Sequence, residues 1–134
     1  MKKSIRLSVL ACLVVLVITA CKDGNNQSTF NVELVSVLEM EEAIKADDVQ
    51  LIDVRSKAEF TSGHIKNAKN IVYQGENWDQ QVASLDKDKP VYVYCAKGVR
   101  SAKCASLLEE AGFTKIFDLN GGVTKWINEG KEVE

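Results

Sequence analysis

The chain is poor in histidine, in free cysteine, in excess positive charge and in long apolar runs, and each shortage removes a class of function. Its one histidine is His64, so a metal centre would need cysteine or carboxylate company at ligand spacing, and the sequence shows no such cluster. Lys and Arg number 17 against 19 Asp and Glu, a formal charge of -2. No basic stripe with interleaved aromatics occurs, so no nucleic-acid partner is expected. The spacing Gly-x-Gly-x-x-Gly is absent, which removes the nucleotide-binding turn. The apolar run from Leu7 to Ile18 is too short to span a bilayer comfortably. What is left, 134 residues of ordinary composition, is long enough for one domain with one core.

That apolar run follows Lys2, Lys3 and Arg6, the layout of an export signal. It ends in Ile18-Thr19-Ala20-Cys21, which resembles the bacterial lipobox. Cleavage by ordinary signal peptidase fits Ala20 but not bulky Ile18. The resemblance therefore implies residues 1–20 as a lipoprotein signal peptide and Cys21 as the lipidated first residue of the mature chain. It implies a protein exported and anchored to a membrane by lipid, facing the periplasm or the cell exterior. Lys22 after the cysteine resembles lipoproteins that pass to an outer membrane. Removing three cations and no acids leaves 14 minus 19, a charge of -5, so basic patches are not the anchor. Residues 21–29 read as a flexible lipid tether and residues 30–134 as the domain.

Within the domain, apolar β-branched runs alternate with helical patterns. Phe30–Val35 predicts a strand, and Ser36 with Glu39 has the spacing of a capping box before a helix with Val37, Met40 and Ile44 on one face, closed by Asp47-Asp48. Val49–Arg55 predicts a central strand, and Ser56 with Glu59 repeats the capping box. Asn70–Tyr73 predicts a short strand; Trp78, Val82 and Leu85 predict a helix with a core-facing stripe. Val91–Tyr94 and Lys115–Leu119 are further strands, each followed by a helix, and Gly112 fits the stop of the first of these. The alternation predicts an α/β fold with a central parallel sheet and helices on both faces. Right-handed crossovers put the carboxyl ends of the strands bearing Asp53 and Cys95 on one edge.

Cys95 stands between a strand and a helix, a position where loop amides and the positive helix end favour thiolate over thiol. Lys97 and Arg100 add cations, and Gly98 removes a side chain where the backbone must curl around an anion. Cys12 leaves with the signal and Cys21 with the lipid, so Cys95 and Cys104 remain. Cys104, Leu107, Leu108 and Ala111 share one helical stripe, which reads Cys104 as a small core residue, with a disulfide or resolving partner for Cys95 as the alternative. His64 reads as a structural ring satisfying nearby backbone, with a catalytic base as the alternative. Asp53 could help position the active loop, and an ion pair between Arg55 and Glu59 would fix the turn after the strand.

The loop Cys95-Ala96-Lys97-Gly98-Val99-Arg100 resembles that of the rhodanese family, sulfurtransferases that carry a sulfane sulfur as a cysteine persulfide. Four residues separate cysteine from arginine here, whereas related phosphatases and arsenate reductases place five there for a tetrahedral oxyanion. Two more stretches match the family in order: Asp53-Val54-Arg55, Glu59-Phe60, Gly63-His64-Ile65, Ala68 and Asn70-Ile71, then Leu119, Gly121-Gly122, Trp126 and Gly130. Together they cover most of residues 30–133.

The resemblance implies a rhodanese-like fold and a two-step covalent reaction on Cys95. It implies a cradle of the main-chain amides from Ala96, Lys97, Gly98, Val99, Arg100 and Ser101, with Arg100 and Lys97 orienting an anionic donor. The two cations resemble thiosulfate-using members, so thiosulfate or a similar sulfane donor is expected, with cyanide or a thiol as acceptor and no metal or organic cofactor. The other readings are a sulfur-binding module without turnover, and a thiol redox protein using Cys95 and Cys104.

Overall fold

The computed structural model describes residues 32–46 and 48–134. The expectations for the signal, for Cys21, for the tether and for Phe30 and Asp47 lie outside the described residues. The elements run β1 (Val32–Val35), α1 (Val37–Ala43), β2 (Gln50–Asp53), α2 (Lys57–Thr61) and β3 (Lys69–Asn70). They continue with α3 (Trp78–Ala83), β4 (Val91–Tyr94), α4 (Val99–Glu110), β5 (Ile116–Leu119) and α5 (Gly122–Asn128). The strands pair in parallel in the order β1-β5-β4-β2-β3.

Side chains alternate across a strand, so each central strand feeds two cores. Ile52, Val54, Val91, Val93 and Ile116 pack with Val82 of α3 and with Cys104, Ala105 and Leu108 of α4. On the other face Leu51, Tyr94 and Leu119 pack with Val37 and Met40 of α1 and Val123 and Trp126 of α5. The fold is therefore the expected α/β sheet covered on both faces.

Local signals place the helices. Ser36 accepts from the Glu39 amide at 3.2 Å while the Ser36 amide donates to Glu39 Oε2 at 2.7 Å, and Ser56 with Glu59 does the same at 3.3 and 3.0 Å. At the far end of α4, Phe113 N–H donates to Leu108 at 3.0 Å and Gly112 turns with φ +95°, a left-handed stop that buries the Phe113 ring.

Four of the boundaries that differ from expectation have a local cause. α1 ends at Ala43, so Ile44 is its C-cap, still packed on the core. The strand predicted at Asn70–Tyr73 is paired only over Lys69–Asn70, because Ile71 and Tyr73 donate their amides to Asp53 and Val54 from an irregular segment. α3 stops at Ala83, leaving Leu85 in the turn but against the same core. α4 starts already at Val99, inside the Cys95–Arg100 stretch, because left-handed Gly98 at φ +101° lets the helix begin directly after the loop.

Candidate active site

Cys95 is the first residue beyond β4. Its Sγ is buried, accepts a hydrogen bond from the Gly98 amide at 3.1 Å and lies 3.6 Å from the Ser101 hydroxyl. Burial alone pushes the thiol up. The Ser101 hydroxyl and the amides of Ser101, Gly98 and Lys97 outweigh it, so the pKa falls below the ordinary thiol value. The positive end of the twelve-residue α4 stands at the same place. The balance favours the thiolate relative to an ordinary cysteine, and the thiolate is the nucleophilic form.

The loop amides face the sulfur because its carbonyls are engaged elsewhere. Val123 N–H donates to the Cys95 carbonyl at 2.9 Å and Thr124 N–H to that of Ala96 at 3.1 Å. These are first-turn amides of α5, which have no partner within their own helix. The approach needs a bare backbone: a Cβ on Gly122, at φ +61°, would overlap the Cys95 carbonyl oxygen and stand 2.6 Å from that of Ala96. Gly121-Gly122 thus passes directly against the candidate active loop.

Residues 36–129 match the sequence model of the Rhodanese-like domain. The chain belongs to the rhodanese-like family. It is 34% identical over 92 residues to the thiosulfate sulfurtransferase GlpE of Shewanella oneidensis, covering 69% of this chain and 89% of that protein. Uncharacterized protein YqhL of Bacillus subtilis is 46% identical over 77 residues, 58% of this chain and 60% of that one. A tRNA uridine(34) hydroxylase of Aster yellows witches'-broom phytoplasma is 34% identical over 97 residues, of which this chain spans only 30% of the length. Among solved structures, a rhodanese-related protein from Thermoplasma volcanium superposes with a TM-score of 0.67 at 32% identity, covering 76% of this chain and 97% of that one.

Around the rhodanese loop, the remaining expected residues fall in different places. Lys97 and Val99 are exposed, Ala96 and Gly98 half-buried, and Ser101 buried. Arg100 projects to Glu59, with Nη1 donating to Oε2 at 2.8 Å and Nη2 to Oε1 at 2.7 Å. The expected Arg55–Glu59 pair is therefore corrected. Arg55 instead turns back on Asp53, donating from Nη2 at 2.6 Å and from Nε at 2.9 Å, and caps the Gly63 carbonyl at 2.7 Å. Arg55 is two residues from Asp53 on a buried strand end, so the short-range carboxylate captures it and leaves Glu59 to the loop arginine.

The Asp53 carboxylate takes its side-chain hydrogen bonds from Arg55, whose guanidinium lies 5.8 Å from the centre of the Tyr94 ring. Tyr94 precedes Cys95, and its hydroxyl accepts from the Ile65 amide at 3.0 Å. His64 has Nδ1 3.1 Å from the Phe60 carbonyl and stacks on the Phe60 ring at 3.7 Å, the arrangement of a structural histidine. Cys104 is a free, fully buried thiol whose pKa burial pushes far up. Among the described residues no group of three or more His, Cys, Asp or Glu side chains could hold a metal ion.

Three contributors escaped sequence reasoning. The Ser101 hydroxyl was hidden behind its amide. Glu59 as partner of Arg100 lies 41 residues away in the chain. Asp118 sits in β5 beneath α4, only 2% exposed; its one signal was a lone charge inside the apolar run Lys115–Leu119.

Proposed function

We propose that this rhodanese domain is a thiosulfate sulfurtransferase that works through a persulfide on Cys95. The observation that carries the reading is the Cys95 sulfur itself, lowered in pKa by a hydroxyl and three loop amides at the mouth of α4. Its likeness to relatives named thiosulfate sulfurtransferase supports the choice of donor.

The Cys95 thiolate attacks the sulfane sulfur of thiosulfate, the S–S bond to the sulfonate breaks, and sulfite leaves with the bonding pair. The charge is conserved: a thiolate and a dianion become a persulfide anion and sulfite. The amides that held the thiolate then hold the terminal sulfur. Cyanide or a thiol attacks that sulfur and returns Cys95 as thiolate. No step takes up or releases a proton on an organic cofactor or a metal. Lys97 is the exposed cation that meets the donor, since Arg100 is engaged by Glu59. Ala96, Gly98, Val99 and Ser101 shape the cradle, and Asp53 supports it indirectly through Arg55 and Tyr94.

The test is the intact mass of the protein before and after thiosulfate, then after cyanide, with Cys95→Ala alongside. A gain of one sulfur on Cys95 that cyanide removes is expected. No gain, or a loss of two hydrogens through a Cys95–Cys104 bond, overturns the reading in favour of sulfur binding or thiol redox chemistry. The raised pKa of Cys104 disfavours the redox alternative, because a buried neutral thiol is a poor attacking group.

The proposal extends to location: residues 1–20 direct export, Cys21 carries lipid, and residues 21–29 tether the domain to a membrane. The support is the sequence layout of cations, apolar run and Cys21. Among the described residues no helix is long and apolar enough to cross a membrane. Incorporation of a labelled fatty acid by the wild-type chain and not by Cys21→Ala is the expected result; equal labelling or none overturns it.

A further inference from the structure

The chain as a whole is acidic, with a formal charge of -2, yet cations gather on the sheet edge that holds Cys95. β5, β4 and β2 are neighbours in the parallel sheet, so the connections leaving their carboxyl ends stand side by side, about 5 Å from one to the next. The connection after β4 carries Lys97 and leads into Arg100, that after β2 leads into Lys57, and that after β5 into Lys125. Lys125 folds back towards the loop: a Cβ on Gly121 would stand 2.8 Å from the Lys125 Cβ and Cδ, and one on Gly98 would stand 3.8 Å from the Gly121 nitrogen. Lys103 follows Val99 by one turn on the exposed face of α4. Lys57, Lys97 and Lys103 are exposed and form no ion pair among the described residues, and Lys125 meets Glu129 only at 4.0 Å. The other acid of these connections, Glu59, is taken by Arg100. Amid these cations the apolar Val99 side chain is 68% exposed.

A small anionic donor needs a cation beside the sulfur, and Lys97 supplies it. Lysines on the two flanking connections, with a bare apolar side chain between them, suit a broader partner, because an apolar centre within a charged rim is the anatomy of a protein docking patch. We propose that this face docks the sulfur acceptor as an acidic protein presenting a cysteine thiol, with Val99 as the apolar contact and Lys57, Lys103 and Lys125 as the surrounding charges. This rests on the persulfide reading of Cys95. In the step itself the acceptor thiolate attacks the outer sulfur of the Cys95 persulfide, the S–S bond to Cys95 Sγ breaks, and Sγ keeps the bonding pair. A thiolate and a persulfide anion become a persulfide anion and a thiolate. Two anions must therefore meet, and the cations around them offset that repulsion. RNA would ask for open rings on which bases stack. The rings in these connections are Phe60, stacked on His64 at 3.7 Å, and the buried Trp126.

To test this, the full chain is loaded with thiosulfate, freed of excess donor and checked by mass for the added sulfur. Transfer is then followed to the peptides Glu-Glu-Leu-Cys-Glu-Glu and Gln-Gln-Leu-Cys-Gln-Gln, and to the neutral thiol dithiothreitol. Wild type is compared with a variant combining Lys57→Gln, Lys103→Gln and Lys125→Gln, so that any difference in thiol acidity between the peptides cancels. The acidic-to-neutral peptide rate ratio is expected to be about tenfold higher in wild type than in the variant at low salt, and within about twofold at about 0.5 M salt. Transfer to dithiothreitol is expected to be equal in both proteins. Equal peptide ratios in the two proteins, or a preference that salt does not weaken, overturn the docking surface. A thiol-bearing oligouridylate preferred by wild type over the acidic peptide overturns it in favour of RNA. Should no sulfur load, the transferase reading fails by itself. Fluorescence anisotropy of the labelled peptides on the unloaded protein then decides: tighter binding of the acidic peptide, lost in the variant, is expected, and equal binding overturns the surface.

Discussion

Arg100 and Glu59 form a two-pronged ion pair at 2.7 and 2.8 Å across 41 residues of chain, binding the candidate active loop to α2. The same Glu59 carboxylate closes the capping box with Ser56, so a single side chain orders the start of α2 and fixes the loop arginine. Arg100 is thereby a brace of the loop, its guanidinium already committed to Glu59, and Lys97 is the exposed cation beside it.

Glu59→Gln keeps the helix cap and loses the charge. The Arg100 hydrogen bonds hold the Glu59 pKa down to about 2 from 4.5. The pair therefore stabilises the fold above the unfolded value and loses that contribution as pH falls through the folded one. With both side chains 36% exposed, solvent screening limits the contribution to about 1 kcal/mol. Denaturant unfolding should show Glu59→Gln less stable near neutrality and indistinguishable at about pH 2. In steady-state assays a freed Arg100 should lower KM for thiosulfate severalfold.

Asp118→Asn should behave in the opposite sense. The folded pKa of about 6 lies above the model-peptide value of 3.8, so the unfolded chain ionises first and stability falls as pH rises between them. Above that window the wild type carries the full penalty, on the order of 3 kcal/mol. The variant should be more stable by about that amount at about pH 8 and equal at about pH 3, read from urea midpoints.

Gly122→Ala places a methyl against the Cys95 and Ala96 carbonyls from a left-handed backbone. The loop must shift or α5 must lift, at a cost of about 1–3 kcal/mol. Sulfur transfer should fall at least tenfold, and the Cys95 thiol pKa should rise towards its ordinary value in the same variant.

Cys104→Ala removes a buried sulfur that the sulfur-transfer cycle does not use. Activity within about twofold of wild type and a loss of roughly 1 kcal/mol of stability are expected. Loss of turnover with stability retained would move the thiol redox reading forward.

The sheet and its two cores were legible because parallel strands buried on both faces read as apolar runs, and Cys95 was legible because it follows one of them into a helix. The capping serines named the starts of α1 and α2 outright. Partner choice was not legible. Arg55 had two carboxylates at plausible spacing, Asp53 and Glu59, and which one it takes, leaving the other to Arg100, depends on where the turn after β2 lies in three dimensions. That the Asp53 carboxylate is held by Arg55 was likewise not legible. The irregular Ile71–Tyr73 segment misled because β-branched residues also suit extended backbone that bonds across without forming a ladder. Asp118 gave only an anomaly of pattern; its burial arises only once α4 lies over β5.

The docking of α5 on the Cys95 and Ala96 carbonyls also ties the sulfur to the far end of the domain. The loop amides keep their aim on Cys95 while the helix at Gly122 stays packed against those carbonyls, so the acidity of this thiol is a reading of tertiary structure as well as of its own loop. A titration of Cys95 therefore doubles as a measure of whether α5 is seated.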